Sequence, residues 1–311
     1  MFSALSQPSY PNAALGIDEE RITAVTLQGQ KRGNFSIKQA ATVDLPVGLL
    51  RPSFLETNIT NSAEFSYCLR EAVESAGLLK QKRWSVALPS STARTAILVL
   101  DSESASKQEA DEILDWKAEQ NFGAPAAALR LAKQKISPDE KGRSRYFATA
   151  VSLPVIDEYE TQFEGLGWKA GLLLPRAVGE ANWLIDKTEN SDSLLVSANP
   201  DGFTGLLLRG DEPAVIRSVT CAPDEIEDEI YRLLMFYNDR FGAEHGNSLL
   251  QRLLVIGKDF VPSKIQTIAS EALGRTLNVL SPEEVGLDLP GSSFTFDDLA
   301  APAGLATLGF K

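Results

Sequence analysis

Ala14-Leu15-Gly16-Ile17-Asp18-Glu19-Glu20-Arg21-Ile22-Thr23-Ala24-Val25-Thr26-Leu27-Gln28 opens the ordered part of the chain. It holds two short apolar runs separated by a charged turn, which predicts strands over 14–18 and 21–28. A third strand is expected over 35–43, after the turn Lys31-Arg32-Gly33-Asn34. A helix follows, capped at Asn61 or Ser62, with Phe65, Leu69 and Val73 on one face and Gly77 as its stop. A strand over 84–88 ends at Pro89.

The same order returns later. Strands are expected over 193–197, 203–209 and 214–219, then a long helix opened by Pro223, then a strand over 253–256. Ile226, Ile230, Leu233, Leu234, Tyr237 and Phe241 mark the apolar face of that helix. A helix over 264–273 and a strand over 276–280 follow. Two α/β halves built to one plan indicate a duplicated fold. Residues 93–169 have no counterpart in the second half. They read as an inserted α+β subdomain of strand, helix, two strands and helix, with Ser106 and Glu109 as a capping box and Ile113, Leu114 and Trp116 as apolar positions. The expected division is a loose tail over 1–13 and a first subdomain from 14–92 and 170–190 with the final helix 298–311. The insertion over 93–169 and a second subdomain over 191–297 complete it. A helix is expected over 176–187.

With 43% hydrophobic and 23% charged residues among 311, the chain is ordinary globular material. Its formal charge of −12 opposes binding to nucleic acid backbones and adsorption on anionic membranes. No apolar run reaches the roughly 18–20 residues of a membrane span, and the first residues lack a basic signal-peptide region. A cytoplasmic protein is expected. Cys68 and Cys221 read as small buried hydrophobes, and His245, the one histidine, as an exposed loop residue. No zinc cluster, Walker lysine loop or nucleophile elbow is present in the sequence. The acidic residues at Asp224–Asp228 and Asp297-Asp298 read as helix-start charges.

Gly16-Ile17-Asp18 resembles the first phosphate loop of the actin-like ATPases. Val86-Ala87-Leu88-Pro89-Ser90-Ser91 resembles the Ala-Leu-Pro-Gly-Ser stretch of the type IV pilus assembly family PilM. Trp116-Lys117-Ala118-Glu119-Gln120, followed by Pro125, is similar to that family's Trp-Glu-Ala-Glu-Gln helix. Ala301-Pro302-Ala303-Gly304-Leu305-Ala306 is similar to its final helix. The matches run in order along nearly the whole chain. The resemblance implies an actin-like (ribonuclease H-like) duplicated βββαβα fold, with the insertion placed as in the division protein FtsA. It further implies a scaffold peripheral to the inner membrane, among other pilus assembly proteins. Such a scaffold holds the cytoplasmic N-terminal peptide of a single-span PilN-like partner in a groove between the first subdomain and the insertion. Trp116, Glu119, Gln120 and Phe122 are the residues expected to line or support that groove. An active ATPase of the same machine, or a GspL-like secretion component, is the alternative reading; self-association is left open.

Nucleotide binding needs tight turns whose backbone N–H groups reach phosphates. Asp18 is followed by Glu19-Glu20-Arg21 where the family has Ile-Gly-Ser, and like charge beside a polyphosphate costs about 1 kcal/mol per pair in water. Arg21 offsets part of this. In the second turn Ser197 takes the acidic position, Asn199 the glycine, and Pro200 removes a donor, with Asp201-Gly202 left to rebuild a turn. In the adenosine turn one glycine, Gly257, survives. Asp18, Arg21, Ser197, Gly202 and Gly257 are therefore the candidate ATP and Mg contacts if any nucleotide is held. The reading favours no cofactor, no turnover and no catalytic residue.

Overall fold

The computed structural model describes residues 10–101, 106–185, 191–242, 250–289, 291 and 294–310. The chain divides into two compact units, one of Met1–Thr92, Pro154–Glu180 and Gly286–Lys311, the other of Ala93–Leu153 and Ala181–Val285.

The first unit is organised by a six-stranded sheet. Its strands are β1 (Ala13–Ile17), β2 (Arg21–Gly29), β3 (Phe35–Asp44), β4 (Arg83–Leu88), β8 (Lys169–Pro175) and β13 (Leu287–Asp288), in the order β13-β3-β2-β1-β4-β8. β1, β2 and β3 run antiparallel, whereas β4 and β8 join in parallel. Six consecutive residues of β2, Ile22–Leu27, are buried, so the sheet is covered on both faces there. Helix α1 (Ser62–Ser75) packs on β2 and β3, and α7 (Phe296–Ala306) packs on β1, β2 and β4. Asn61 caps α1 by accepting the Glu64 N–H at 3.3 Å. Helix α3 (Leu153–Gly165) joins α1 through Phe65 and Tyr159, whose rings lie 6.3 Å apart, and through the Ser66 hydroxyl, which donates to Gln162 at 2.6 Å.

A loop of residues 45–61 connects β3 to α1 and is fastened from within. The buried Asn58 amide donates to the Ser53 and Glu56 carbonyls at 2.8 and 2.7 Å, and its oxygen accepts Thr92 at 2.7 Å and Tyr159 at 3.1 Å. The Glu158 carboxylate accepts the backbone N–H groups of Asn58 and Ile59 at 2.6 and 3.0 Å.

The second unit holds two sheets. β9 (Asp192–Asn199), β10 (Gly202–Arg209), β11 (Glu212–Thr220) and β12 (Leu250–Ile256) lie in the order β11-β10-β9-β12, which repeats the β3-β2-β1-β4 order of the first unit. Helices α5 (Ile226–Tyr237) and α6 (Pro262–Leu273) cover one face, with Ile230, Leu234 and Ile265 meeting Val196, Phe203 and Leu253. The strand expected over 276–280 is reduced to a single bridge between Leu253 and Val279. The insertion contributes β5 (Arg94–Val99), β6 (Leu129–Ile136) and β7 (Arg145–Ser152), ordered β5-β7-β6, and helix α2 (Lys107–Phe122). Arg145 donates to the Pro213 and Ala214 carbonyls at 3.1 Å each and so ties this sheet to the start of β11.

The helix expected over 176–187 is shorter. Helix α4 (Arg176–Ala181) tightens into a single turn at Asn182–Leu184, and residues 186–190 fall outside the described ones, as does His245. Cys68 is buried as expected, while Cys221 is half-exposed; both are free thiols. No helix among the described residues is long and apolar enough to cross a membrane.

Candidate functional site

In the first unit the turn after β1 is closed on itself. The Asp18 N–H donates to the Arg21 carbonyl at 2.9 Å, and the Glu19 N–H to the Asp18 carboxylate at 2.7 Å. Two backbone donors that would face an anion are thereby engaged. Glu19 and Glu20 are exposed, with the Glu20 carboxylate 3.6 Å from Arg21. The glycine of the motif, Gly16, lies against helix α7: a Cβ there would stand 3.0 Å from the Pro302 ring. Its smallness serves that packing.

The charged groups of the turn are also paired. Arg176, at the start of α4, donates to Asp18 through one terminal nitrogen, to Glu180 at 2.6 Å through Nε and to the Asp297 carbonyl at 3.0 Å. Arg21 donates to Asp298 at 2.6 Å. Asp298 in turn caps α7 with Thr295 in a reciprocal box. Burial alone would pull the Arg176 guanidinium down, but the charges of Glu180 and Asp18 more than reverse this and hold it above the ordinary arginine range. Glu180 is fully buried, and among the described residues its second oxygen, Oε2, meets no hydrogen-bond donor. The carboxylate of Asp18 thus has an internal cation beside it, and Arg21 has an internal anion. Neither Arg176 nor Glu180 was named from sequence, because both look like an ordinary solvated first turn of a helix.

In the second unit the turn between β9 and β10 is a two-residue hairpin, Pro200-Asp201, with Asn199 opposite Gly202. Gly202 has φ +142°, and a Cβ there would meet the Val219 carbonyl at 2.1 Å; the neighbouring Asp201 carbonyl accepts the Cys221 N–H at 3.0 Å. Gly257, after β12, has φ +151°, and a Cβ there would lie 2.4 Å from that of Ala198. Both glycines let one piece of this unit approach another. Ser197 is fully buried between Thr204 and Ile256 of the neighbouring strands, and among the described residues its hydroxyl has no hydrogen-bond partner. Asn199 donates to Thr204 at 2.9 Å. Among the described residues there is no cluster of three or more metal-ligating side chains.

Helix α2 separates the four residues expected at a partner groove. Leu114, Ala118 and Phe122 are its buried stripe, so Phe122 belongs to the core of the insertion. Glu119 is half-buried and accepts the Ala126 N–H at 2.9 Å, fixing the turn that follows the helix. Trp116, expected among the apolar positions of the helix, is 57% exposed, and Gln120 one turn on is exposed beside it. The other three tryptophans, Trp84, Trp168 and Trp183, are buried.

No family model matches the chain, and no curated protein matches it. Solved structures do. A chain of the "PilM-PilN type IV pilus biogenesis complex" superposes with a TM-score of 0.74 at 16% identity, over 98% of this chain and 100% of that one. Two further structures superpose more loosely. A Bacteroides thetaiotaomicron protein of actin-like ATPase fold and unknown function gives 0.48 at 10% identity, over 93% and 95% of the two chains. The cytoplasmic domain of EpsL, an inner-membrane component of the Vibrio cholerae type II secretion system, gives 0.44 at 10% identity, over 86% and 97%. With two sheets of one strand order and a full-length superposition, the chain has the actin-like fold, and it shares that fold with the protein solved in the PilM–PilN complex.

Proposed function

We propose that the chain is a non-catalytic scaffold of a type IV pilus or related envelope assembly machine. It binds the cytoplasmic N-terminal peptide of a PilN-like inner-membrane partner and does not turn over ATP. The observation that carries the second half of this reading is the internal pairing of the first turn. Asp18 is held by Arg176 and Arg21 by Asp298, so a bound Mg–phosphate would have to break two ion pairs and face Glu19 and Glu20 as well. In the second unit the glycines that a nucleotide would need for close approach already serve strand packing. The first half of the reading is supported by the full-length likeness to a protein solved together with PilN.

Calorimetric titration of Mg–ATP into the nucleotide-stripped protein tests the loss of nucleotide binding. No heat at millimolar nucleotide is expected; a low-micromolar dissociation constant would restore the ATPase reading. Co-purification with a PilN-like membrane protein from the native host tests the scaffold role.

A further inference from the structure

We propose that the first unit carries a surface that docks directly on an anionic lipid bilayer, made by the two turns that lead into β4 and β8. It goes beyond the scaffold reading, since it needs no protein partner. The turn of residues 76–82 follows α1 and enters β4; the turn of residues 166–168 follows α3 and enters β8. The two strands pair in parallel from Arg83 and Lys169, and the Lys169 N–H donates to the Lys82 carbonyl at 2.8 Å. Both turns therefore emerge side by side at one end of the sheet. They bring together Lys80, Lys82 and Lys169, all exposed. With them come two apolar side chains, Leu79, 42% exposed, and Leu166, half-buried.

The three ammonium groups have no task inside the unit. None makes an ion pair among the described residues, whereas Lys117, Lys133 and Lys264 each lie within 3.0 Å of a carboxylate. The acids nearest along the chain, Glu74 of α1 and Glu164 of α3, are exposed and form no ion pair with them. Helix ends do not account for the lysines either. Helix α1 stops at Ser75 and α3 at Gly165, so all three lie beyond the last turn, where the attraction of the helix dipole has fallen off.

The choice of occupant follows from what the turns offer. Their backbone donors are spent: Gln81 on the Leu78 carbonyl at 2.8 Å, Gly167 on Glu164 and Trp168 on Phe163 at 2.9 Å each, and Lys169 on Lys82. A single phosphate or a peptide carboxylate is gripped by such donors, and here it would meet only flexible lysines. A bilayer asks less. It needs several cations over anionic headgroups and an apolar side chain to enter the headgroup boundary, which Leu79 supplies. Lysine stems lie along apolar material while their charged ends stay wet. The overall charge of −12 opposes adsorption from a distance, but that field is screened over about 8 Å at physiological salt. The patch acts at contact, so docking is weak and salt-sensitive and presents one end of the sheet to the bilayer.

The test is co-sedimentation of the full chain with vesicles of phosphatidylcholine containing about one third phosphatidylglycerol, at low ionic strength. The protein should pellet with them, and should stay in solution with pure phosphatidylcholine or in high salt. K80Q/K82Q/K169Q should lower the apparent affinity at least about ten-fold. Leu79→Ser should lower it several-fold with no change of charge, and so should K82E, which keeps every backbone bond of the two turns. K31Q/K38Q/K135Q removes the same charge from exposed lysines elsewhere and should keep the parent's binding. Absence of binding to the anionic vesicles, equal binding to neutral ones, or an equal loss in the control triple overturns the inference. So does patch-dependent binding of a polyglutamate peptide, which would make the surface a site for an acidic protein segment. The Mg–ATP titration and the co-purification decide the scaffold reading separately, and neither depends on these lysines.

Discussion

Replacing Arg176 with methionine should cost the first unit about 3–5 kcal/mol. The figure comes from one partner. Glu180 is fully buried and has the Arg176 Nε as its donor, so removing the cation leaves an unpaired carboxylate away from water, which costs about that much. Asp18 contributes little to it, because its side chain is 42% exposed and water can replace the lost partner. Thermal unfolding should show a fall of roughly 10–15 °C for a unit of this size. Urea unfolding measures the same loss at constant pH. Converting both residues, R176M/E180M, removes the orphaned charge and should return stability to within about 1–2 kcal/mol of the parent. A loss in R176M below 1 kcal/mol, or no recovery in the double variant, would refute the reasoning.

Three further outcomes follow from other parts of the chain. Gly257→Ala should destabilise the second unit by about 3 kcal/mol or more, since it combines φ +151° with a 2.4 Å approach to Ala198; denaturant unfolding showing under 1 kcal/mol would contradict this. Asn58→Leu should cost about 3–5 kcal/mol by leaving Thr92 and Tyr159 hydroxyls and two carbonyls without their partner, and hydrogen exchange across residues 45–60 should accelerate. Hydrogen bonding and charge from Lys117, with Arg143 adding to them, hold the Asp101 carboxyl below its usual range. A depressed acid stabilises above its unfolded pKa and loses that effect as pH falls through its folded one. Carboxyl NMR should therefore give a midpoint below about 3.9, and Lys117→Gln should move it back upward.

The doubled strand plan was legible because it rests on local signals. Alternating or continuous apolar runs, capped helices and Gly or Pro turns placed β1–β4 and β9–β11 within a residue or two and β12 within three, and Asn61 and Ser106 cap the helices they were expected to cap. What was missed depends on partners distant in sequence. Arg176 reaches Asp18 across 158 positions, and Asn58 gathers Thr92 and Tyr159 from 34 and 101 positions away. Composition offers no sign of either. On α2 the signal was present but misread. Leu114, Ala118 and Phe122 recur every four residues and define the buried stripe, which leaves Trp116 outside it. Over 276–280 the apolar run predicts a strand, but the chain pairs there only through the Leu253–Val279 bridge, and the sequence does not mark that limit.

Helix α7 packs on β1, β2 and β4, yet it follows β4 by roughly 200 residues in the chain. During synthesis at about 5–20 residues per second, the apolar face of that sheet therefore waits about 10–40 s for its cover. The second unit, whose pieces are all complete by Val285, can close before the first one does. The unit translated first is thus the last to finish folding. A released chain ending before Phe296 should hold a folded second unit and an open, chaperone-dependent first one.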